Sequence, residues 1–238
     1  MAVSGKSDLA VGLSLVGPSM TARPIIFDCD GVLVNSEALV IAVERRFLAD
    51  LGLVYEDDDY LTRFVGTSDA DFVELLRADH ITGGIGVFPE DFLTQVRRAC
   101  YDRFTTELQA VEGLETYLAT LTGPKAVASS STMRSLARKL SLTGLAHWFG
   151  EHVYSAEHVR RGKPAPDLFL HAAARMGVAA ADCVVIEDSV HGVRAGVSAG
   201  MEVWGFTGGG HADVGLGGRL AAAGAVRVYE RFGDMGGV

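Results

Sequence analysis

Residues 24–37 read PIIFDCDGVLVNSE. The apolar run Ile25–Phe27 predicts a short buried strand, and Asp30 with Gly31 predicts a tight turn directly after it. Apolar residues then recur at helical spacing over 36–51, and Gly52 marks the end of that helix. A strand, a tight turn and a helix in this order form the first unit of an alternating α/β fold.

The same alternation returns in the second half of the chain. Further strands, each separated from the next by a helical segment, are predicted at 125–128, 152–154, 184–186, 203–206 and 225–229. Strands that alternate with helices predict a parallel sheet covered by helices on both faces. We therefore assign the chain to the α/β class.

One long helical stretch interrupts this alternation. Residues from about 53 to 110 contain helical spacing but no buried-strand pattern, and the acidic run Asp57–Asp59 within them predicts a solvated loop. We therefore expect a small helical domain, residues 37–110, inserted into a core made of residues 21–36 and 111–238. Residues 1–20 are expected to form a flexible N-terminal extension outside the fold.

Composition and charge exclude several classes of protein. The chain has 238 residues, three cysteines and a formal net charge of −9. An acidic chain without a basic cluster is not expected to bind nucleic acid. No run approaches the ~18 apolar residues that a membrane span needs, and residues 9–16 resemble a secretion signal only weakly. Sparse cysteines favour the cytoplasm over a disulfide-forming compartment.

Polar side chains follow three of the predicted strands, at the edge of the sheet where α/β proteins bind ligands. These residues, together with one loop lysine, are Asp28, Asp30, Ser129, Ser130, Glu187, Asp188 and Lys163. Several carboxylates brought together repel one another, and a hard cation such as Mg²⁺ relieves that repulsion. Such a site, with a lysine and hydroxyl groups, is suited to hold a phosphoryl group that one carboxylate attacks.

The same residues carry a resemblance to the haloacid dehalogenase (HAD) superfamily. Residues 28–37 resemble its first motif, the strand ending at Ser129 its second, Lys163 in GKPAPD its third, and residues 186–192 its fourth. All four occur in the family's order and span about 25–210. The resemblance implies a Rossmannoid parallel-sheet core with an inserted helical cap, as in subfamily I, the group of β-phosphoglucomutase and 6-phosphogluconate phosphatase.

The resemblance also implies a role for each matching residue. Asp28 would be the nucleophile and a metal ligand, and Asp30 the general acid and base, with its backbone carbonyl on the metal. Asp188 would bind Mg²⁺, with Glu187 as a further ligand or as a partner of the ligands. Ser129 and Ser130 would bind phosphoryl oxygens, and Lys163 would neutralise the nucleophile and the phosphate. One departure is Asn35, which stands where the family usually has Asp.

The resemblance leaves two main reactions open. We expect a Mg²⁺-dependent phosphatase that hydrolyses a small phosphorylated metabolite, such as a sugar phosphate, through a phospho-aspartate. The alternative is a β-phosphoglucomutase, whose cap carries a His and an Arg; these positions fall on Val40 and Asp69 here. A binding protein that kept the fold without activity is a third reading, against which the intact motifs argue.

Two further expectations concern the substrate and the assembly. Arg63 precedes a turn, Phe64–Thr67, that family members point at the site, so we select it over Arg45 and Arg46 as the cap residue that binds the substrate. We expect a monomer or a weak dimer in the cytoplasm.

Overall fold

Six parallel strands form the centre of the molecule. The computed structural model describes residues 22–65, 69–84 and 86–236, so the extension predicted for residues 1–20 and part of the turn predicted at Phe64–Thr67 lie outside the described residues. The strands are β1 (Ile25–Phe27), β2 (Lys125–Ser129), β3 (Val153–Ser155), β4 (Val184–Glu187), β5 (Glu202–Phe206) and β6 (Arg227–Tyr229). They run in the order β3-β2-β1-β4-β5-β6. This confirms the predicted α/β class and parallel sheet.

Helices follow the strands as the alternation predicts. In the described part of the chain they are α1 (Ser36–Asp50), α2 (Asp57–Phe64), α3 (Asp69–Thr82), α4 (Phe92–Glu107), α5 (Leu114–Thr120), α6 (Met133–Leu142), α7 (Asp167–Met176), α8 (Val190–Ser198) and α9 (Leu216–Ala223). The prediction of a loop at Asp57–Asp59 was wrong, because these residues form the first turn of α2. Carboxylates there face the positive end of the helix dipole, which favours the helix.

Successive residues of each strand belong to opposite faces of the sheet. Ile25 and Phe27 of β1 pack with α5 and α6 on one face, whereas Ile26 packs with α7, α8 and α9 on the other. All three residues are at most 1% exposed. A strand that is buried on both faces needs apolar residues at consecutive positions. This explains why short apolar runs in the sequence predicted the strands.

Helices α1 to α4 enclose an apolar cluster of their own. Its buried members include Val43, Tyr60, Phe64, Phe72 and Phe92. The chain enters and leaves this helical segment at adjacent points: the backbone N–H of Asn35 donates to the carbonyl of Gln109 (3.1 Å), and the Asn35 side chain accepts from the backbone N–H of Gln109 (2.9 Å). Asn35, the departure from the family motif, thus ties the two connections together.

Among the described residues, no helix is both long enough and apolar enough to cross a bilayer.

Candidate active site

A cavity of about 1120 Å³ opens beyond the carboxyl ends of β1, β2 and β4. Seven of the eight residues predicted for the site line it: Asp28, Asp30, Ser129, Ser130, Lys163, Glu187 and Asp188. They come from four separate segments of the chain. The parallel sheet brings them together because its strand ends meet at one edge.

Lys163 lies at the centre of this group. It precedes α7, and its Nζ contacts Asp28, Oε1 of Glu187 (2.6 Å) and the carbonyl oxygen of Ala128 (2.9 Å). The Lys163 side chain is only 4% exposed. Because two carboxylates surround the ammonium group, they keep the pKa of Lys163 above its usual value despite burial. A permanent positive charge is therefore fixed beside Asp28.

More carboxyl groups lie at this edge of the sheet than Lys163 alone can neutralise. Burial is the main reason that the pKa of Asp28 is raised to about 7, and the nearby charges of Glu187 and Asp30 add to it. Burial, followed by the charges of Glu187 and Asp28, also raises the pKa of Asp188 well above its usual value. A second cation close to Asp28 and Asp188 would therefore stabilise their ionised forms.

Glu187 has both carboxylate oxygens engaged. Oε1 accepts from Lys163, and Oε2 accepts from the backbone N–H and the hydroxyl of Ser189, each at 2.9 Å. Gly192 lies directly against this carboxyl group, since a methyl group added there would overlap with it. Because both of its oxygens are occupied, Glu187 is better suited to orienting Lys163 than to binding a metal directly.

Asp30 is held by a second lysine that the sequence analysis missed. Lys139 of α6 and Ser36 both bind Oδ1 of Asp30, and the Ser131 hydroxyl donates to Oδ2 (2.9 Å). Burial works to raise the pKa of Asp30, but Lys139 and these hydrogen bonds outweigh it and lower the pKa. The missed signal is periodicity: Lys139 lies between Leu136 and Leu140, on the apolar side of the helix.

His211 is a second residue that the motifs do not contain. Its Nε2 lies 3.2 Å from Oδ2 of Asp188, and both side chains are almost fully buried. His211 lies in the loop that follows β5, another strand whose carboxyl end reaches the cavity. The rule that polar residues at strand ends meet at the site applies to this strand too, and it would have selected His211.

The two serines of the second motif occupy different positions. Ser129 is buried, and its hydroxyl accepts from the backbone N–H of Ser131 (3.0 Å). Ser130 is exposed to the cavity. The loop then ends at Thr132, whose side chain caps α6 by accepting from the Ser135 N–H (3.3 Å). Backbone N–H groups at such a helix start are suited to phosphoryl oxygens.

Arg63 is the predicted site residue that the structure does not bring to the cavity. Its guanidinium donates to Asp79 (2.8 Å), pairs with Asp59 (3.5 Å) and packs on the Phe64 ring. These contacts hold the Arg63 guanidinium within the helical segment, where its N–H groups bind Asp79 and Asp59. The described residues of α1 and α4 that do line the cavity include Glu37, Val40, Glu44, Arg97 and Tyr101.

Comparison with known families now identifies the fold. Residues 23–200 match the model of the haloacid dehalogenase-like hydrolases. The chain belongs to the HAD family. This confirms the resemblance read from the four motifs, and it makes the cavity at the sheet edge the expected active site of a HAD hydrolase.

Individual HAD relatives agree with this assignment. The 6-phosphogluconate phosphatase of Escherichia coli K12 is 29% identical over 182 residues, covering 76% of this chain and 81% of that protein. The fructose-1-phosphate phosphatase YqaB of the same organism is 31% identical, covering 75% and 93%. A HAD-like protein of unknown function from Agrobacterium tumefaciens is 36% identical with a TM-score of 0.82, covering 90% and 95%. The family and these relatives indicate a phosphomonoester hydrolase.

HAD phosphatases generally use Mg²⁺, and the side chains at the sheet edge offer oxygen ligands for this ion. Within the described ranges, no three or more His, Cys, Asp or Glu side chains already form a metal-binding cluster. Magnesium needs less, because it binds through one or two carboxylates and keeps several waters. Asp28 and Asp188 supply such oxygens, and both line the cavity that also contains Lys163 and Glu187. The residues present therefore fit a divalent cation.

Proposed function

We propose that this chain is a Mg²⁺-dependent phosphatase that hydrolyses a small phosphorylated metabolite, a sugar phosphate in the first instance. The observation that carries the proposal is the contact of Lys163 with both Asp28 and Glu187, beside the serine loop and at the mouth of the cavity. A lysine fixed between a buried nucleophile and a phosphate pocket serves phosphoryl transfer.

In the first half of the reaction, a carboxylate oxygen of Asp28 attacks phosphorus. The bond between phosphorus and the leaving oxygen breaks, and Asp30 gives its proton to that oxygen. Lys163 and the N–H groups of the Ser129–Thr132 loop offset the charge on the phosphoryl oxygens. The product is a phospho-aspartate on Asp28 and a free alcohol.

In the second half, Asp30 takes a proton from water, and the water oxygen attacks the same phosphorus. Inorganic phosphate leaves and Asp28 is regenerated. The Lys139 contact favours the ionised form of Asp30, which is the form that acts as a base here. When bound, Mg²⁺ held by Asp28, the Asp30 carbonyl and Asp188 supplies charge stabilisation for the phosphoryl group, and Glu187 holds Lys163 in register.

We assign residues 37–110 the role of a cap over the site. Residues of α1 and α4 line the cavity opposite the sheet edge. Arg138 of α6 packs over the Tyr101 ring of α4 at 3.7 Å and donates to Thr105 (2.7 Å), which supports contact between this segment and the core. Closure of a cap excludes water from the reacting phosphate and supplies contacts to the leaving group.

The cavity wall favours hydrolysis over the mutase reaction. Val40, at the position where the mutase group carries a His, lines the cavity with an aliphatic side chain. The other position, Asp69, opens α3, and its side chain is not described. A mutase must hand its phosphoryl group to a second sugar hydroxyl, and valine offers no hydrogen bond to hold that sugar.

The test measures inorganic phosphate released from a panel with Mg²⁺ and with EDTA. The panel contains 6-phosphogluconate, hexose and pentose phosphates, phosphoglycolate and β-glucose 1-phosphate. Metal-dependent release with a clear preference supports the phosphatase. Conversion of β-glucose 1-phosphate to glucose 6-phosphate without release would establish the mutase instead, and no turnover of any compound would contradict both.

The three cysteines favour a reducing compartment. Cys29, Cys100 and Cys183 are buried free thiols, which suits a reducing compartment such as the cytoplasm. We propose a monomer or a weak dimer, with the phosphorylated metabolite as the partner of the site.

A further inference from the structure

The loop after β5 is built into the catalytic edge although it carries none of the four motifs. A side chain at Gly209 would overlap with the backbone of Gly31, which directly follows Asp30. A side chain at Gly31 would in turn overlap with Asp188 and crowd the ring of His211. Two glycines thus let this loop approach the first motif closely enough to place His211 over Asp188.

The contact between His211 and Asp188 is buried and polar. Nε2 of His211 lies 3.2 Å from Oδ2 of Asp188, and the two side chains are 5% and 6% exposed. The imidazole nitrogen presents its polar edge to the Asp188 carboxyl group, and the contact is made at Oδ2. Oδ1 of Asp188 is then left for a cation.

We propose that His211 is a positioning residue for the metal site: the contact of its Nε2 with Oδ2 holds Asp188 in the orientation that binds Mg²⁺. This inference rests on the proposed function, because it assumes that Asp188 is a metal ligand. It adds a residue and a loop to the site that the motifs do not include. Partners that orient a metal ligand in this way typically contribute 10–100-fold to metal affinity.

Packing alone does not account for this histidine. Its neighbours in the sequence, Gly208–Gly210 and Ala212, contribute little or no side-chain volume, so the loop is not filling an apolar gap. The imidazole is instead placed against the buried Asp188 carboxyl group, with its Nε2 3.2 Å from Oδ2.

The experiment is a calorimetric titration of the full chain with Mg²⁺ alone, without substrate. We expect His211→Ala to weaken Mg²⁺ binding by about 10–100-fold while the melting temperature in EDTA stays close to that of the wild type. His211→Gln is the conservative variant, because its amide nitrogen can occupy the position of Nε2, and it should recover most of the affinity. His147→Ala, at an exposed histidine, is the matched control.

Activity gives an independent readout of the same idea. Saturating Mg²⁺ should restore most of the turnover of His211→Ala, since the ligands themselves remain. Unchanged Mg²⁺ affinity in His211→Ala, or no recovery in His211→Gln, would overturn the inference. Asp188→Asn separates this from the proposed function: if that variant still binds Mg²⁺ as the wild type does, the metal site itself is misplaced, whereas loss of binding there leaves only the role of His211 in question.

Discussion

Gly192→Ala should destabilise the protein even though alanine is the better helix residue. Gly192 lies inside α8, and a methyl group there would overlap with the Glu187 carboxyl group, which is 1% exposed. Glu187 would have to leave its contacts with Lys163 and Ser189. Gly218→Ala is the matched control, because Gly218 lies in α9 with open space around its missing side chain.

The expected signs of the two changes are opposite. Alanine gains about 0.5–1 kcal/mol over glycine within a helix, so Gly218→Ala should be stabilising by that amount. At Gly192 the same gain is set against hydrogen bonds to a charged group, which are worth about 1.5–3 kcal/mol each. Loss of two of the three contacts of Glu187 gives a net destabilisation of about 2–5 kcal/mol, or a melting temperature lower by roughly 4–20 °C for a chain of this size.

The assay is thermal unfolding of both variants in EDTA, followed by phosphate release at saturating Mg²⁺. Because Glu187 holds Lys163, Gly192→Ala should also lower kcat by about tenfold or more, since small misplacements at a reacting centre cost up to about 100-fold. Gly218→Ala should keep wild-type turnover. A Gly192→Ala variant that is as stable and as active as Gly218→Ala would refute the arrangement of Gly192, Glu187 and Lys163.

Three other outcomes follow from the site. Asp28→Asn should reduce phosphate release to the background level without lowering the melting temperature, because the amide replaces a buried carboxyl whose pKa is already raised to about 7; substantial residual turnover would exclude Asp28 as the nucleophile. The melting-temperature increase caused by Mg²⁺ should be small at pH 5.5 and grow through pH 8. The raised pKa of Asp28 makes its ionisation destabilising as pH rises through about 7, and Mg²⁺ binds the ionised form; a shift that does not vary with pH would contradict this. Arg63→Met should lower the stability of the protein because the hydrogen bond to Asp79 is lost, while KM changes by less than about twofold. A large rise in KM would instead indicate that Arg63 binds the substrate.

The site could be predicted from the sequence because its residues lie at the ends of predicted strands. Asp28, Ser129 and Glu187 each close a short apolar run, and parallel pairing of β1 with β2 and β4 puts those ends side by side. The fold followed for the same reason, because strands buried on both faces, such as Ile25–Phe27, read as continuous apolar segments. The local sequence pattern was sufficient to predict a residue's position wherever its own strand or helix determines its burial.

Residues whose environment is set by a distant segment were not predictable in this way. Arg63 was selected from its neighbours in the sequence, but Asp79 on α3 determines where its guanidinium lies. Lys139 reaches Asp30 across 109 positions of the chain. The sequence around Arg63 and Lys139 does not indicate that Asp79 and Asp30 are their partners. Long charged side chains can reach several positions, so tertiary packing determines which partner they contact.

The position of β1 has a consequence for the order in which the chain folds during synthesis. This central strand hydrogen-bonds to Lys125–Val127 and to Val184–Ile186, about one hundred and one hundred and sixty residues further along. Helices α1 to α4, by contrast, bury their apolar cluster within one continuous segment. We therefore expect the inserted helices to acquire structure on the ribosome while Ile25–Phe27 stays unpaired. The earliest strand to be translated then waits longest for its two neighbours, and until they arrive it is open to chaperones and proteases.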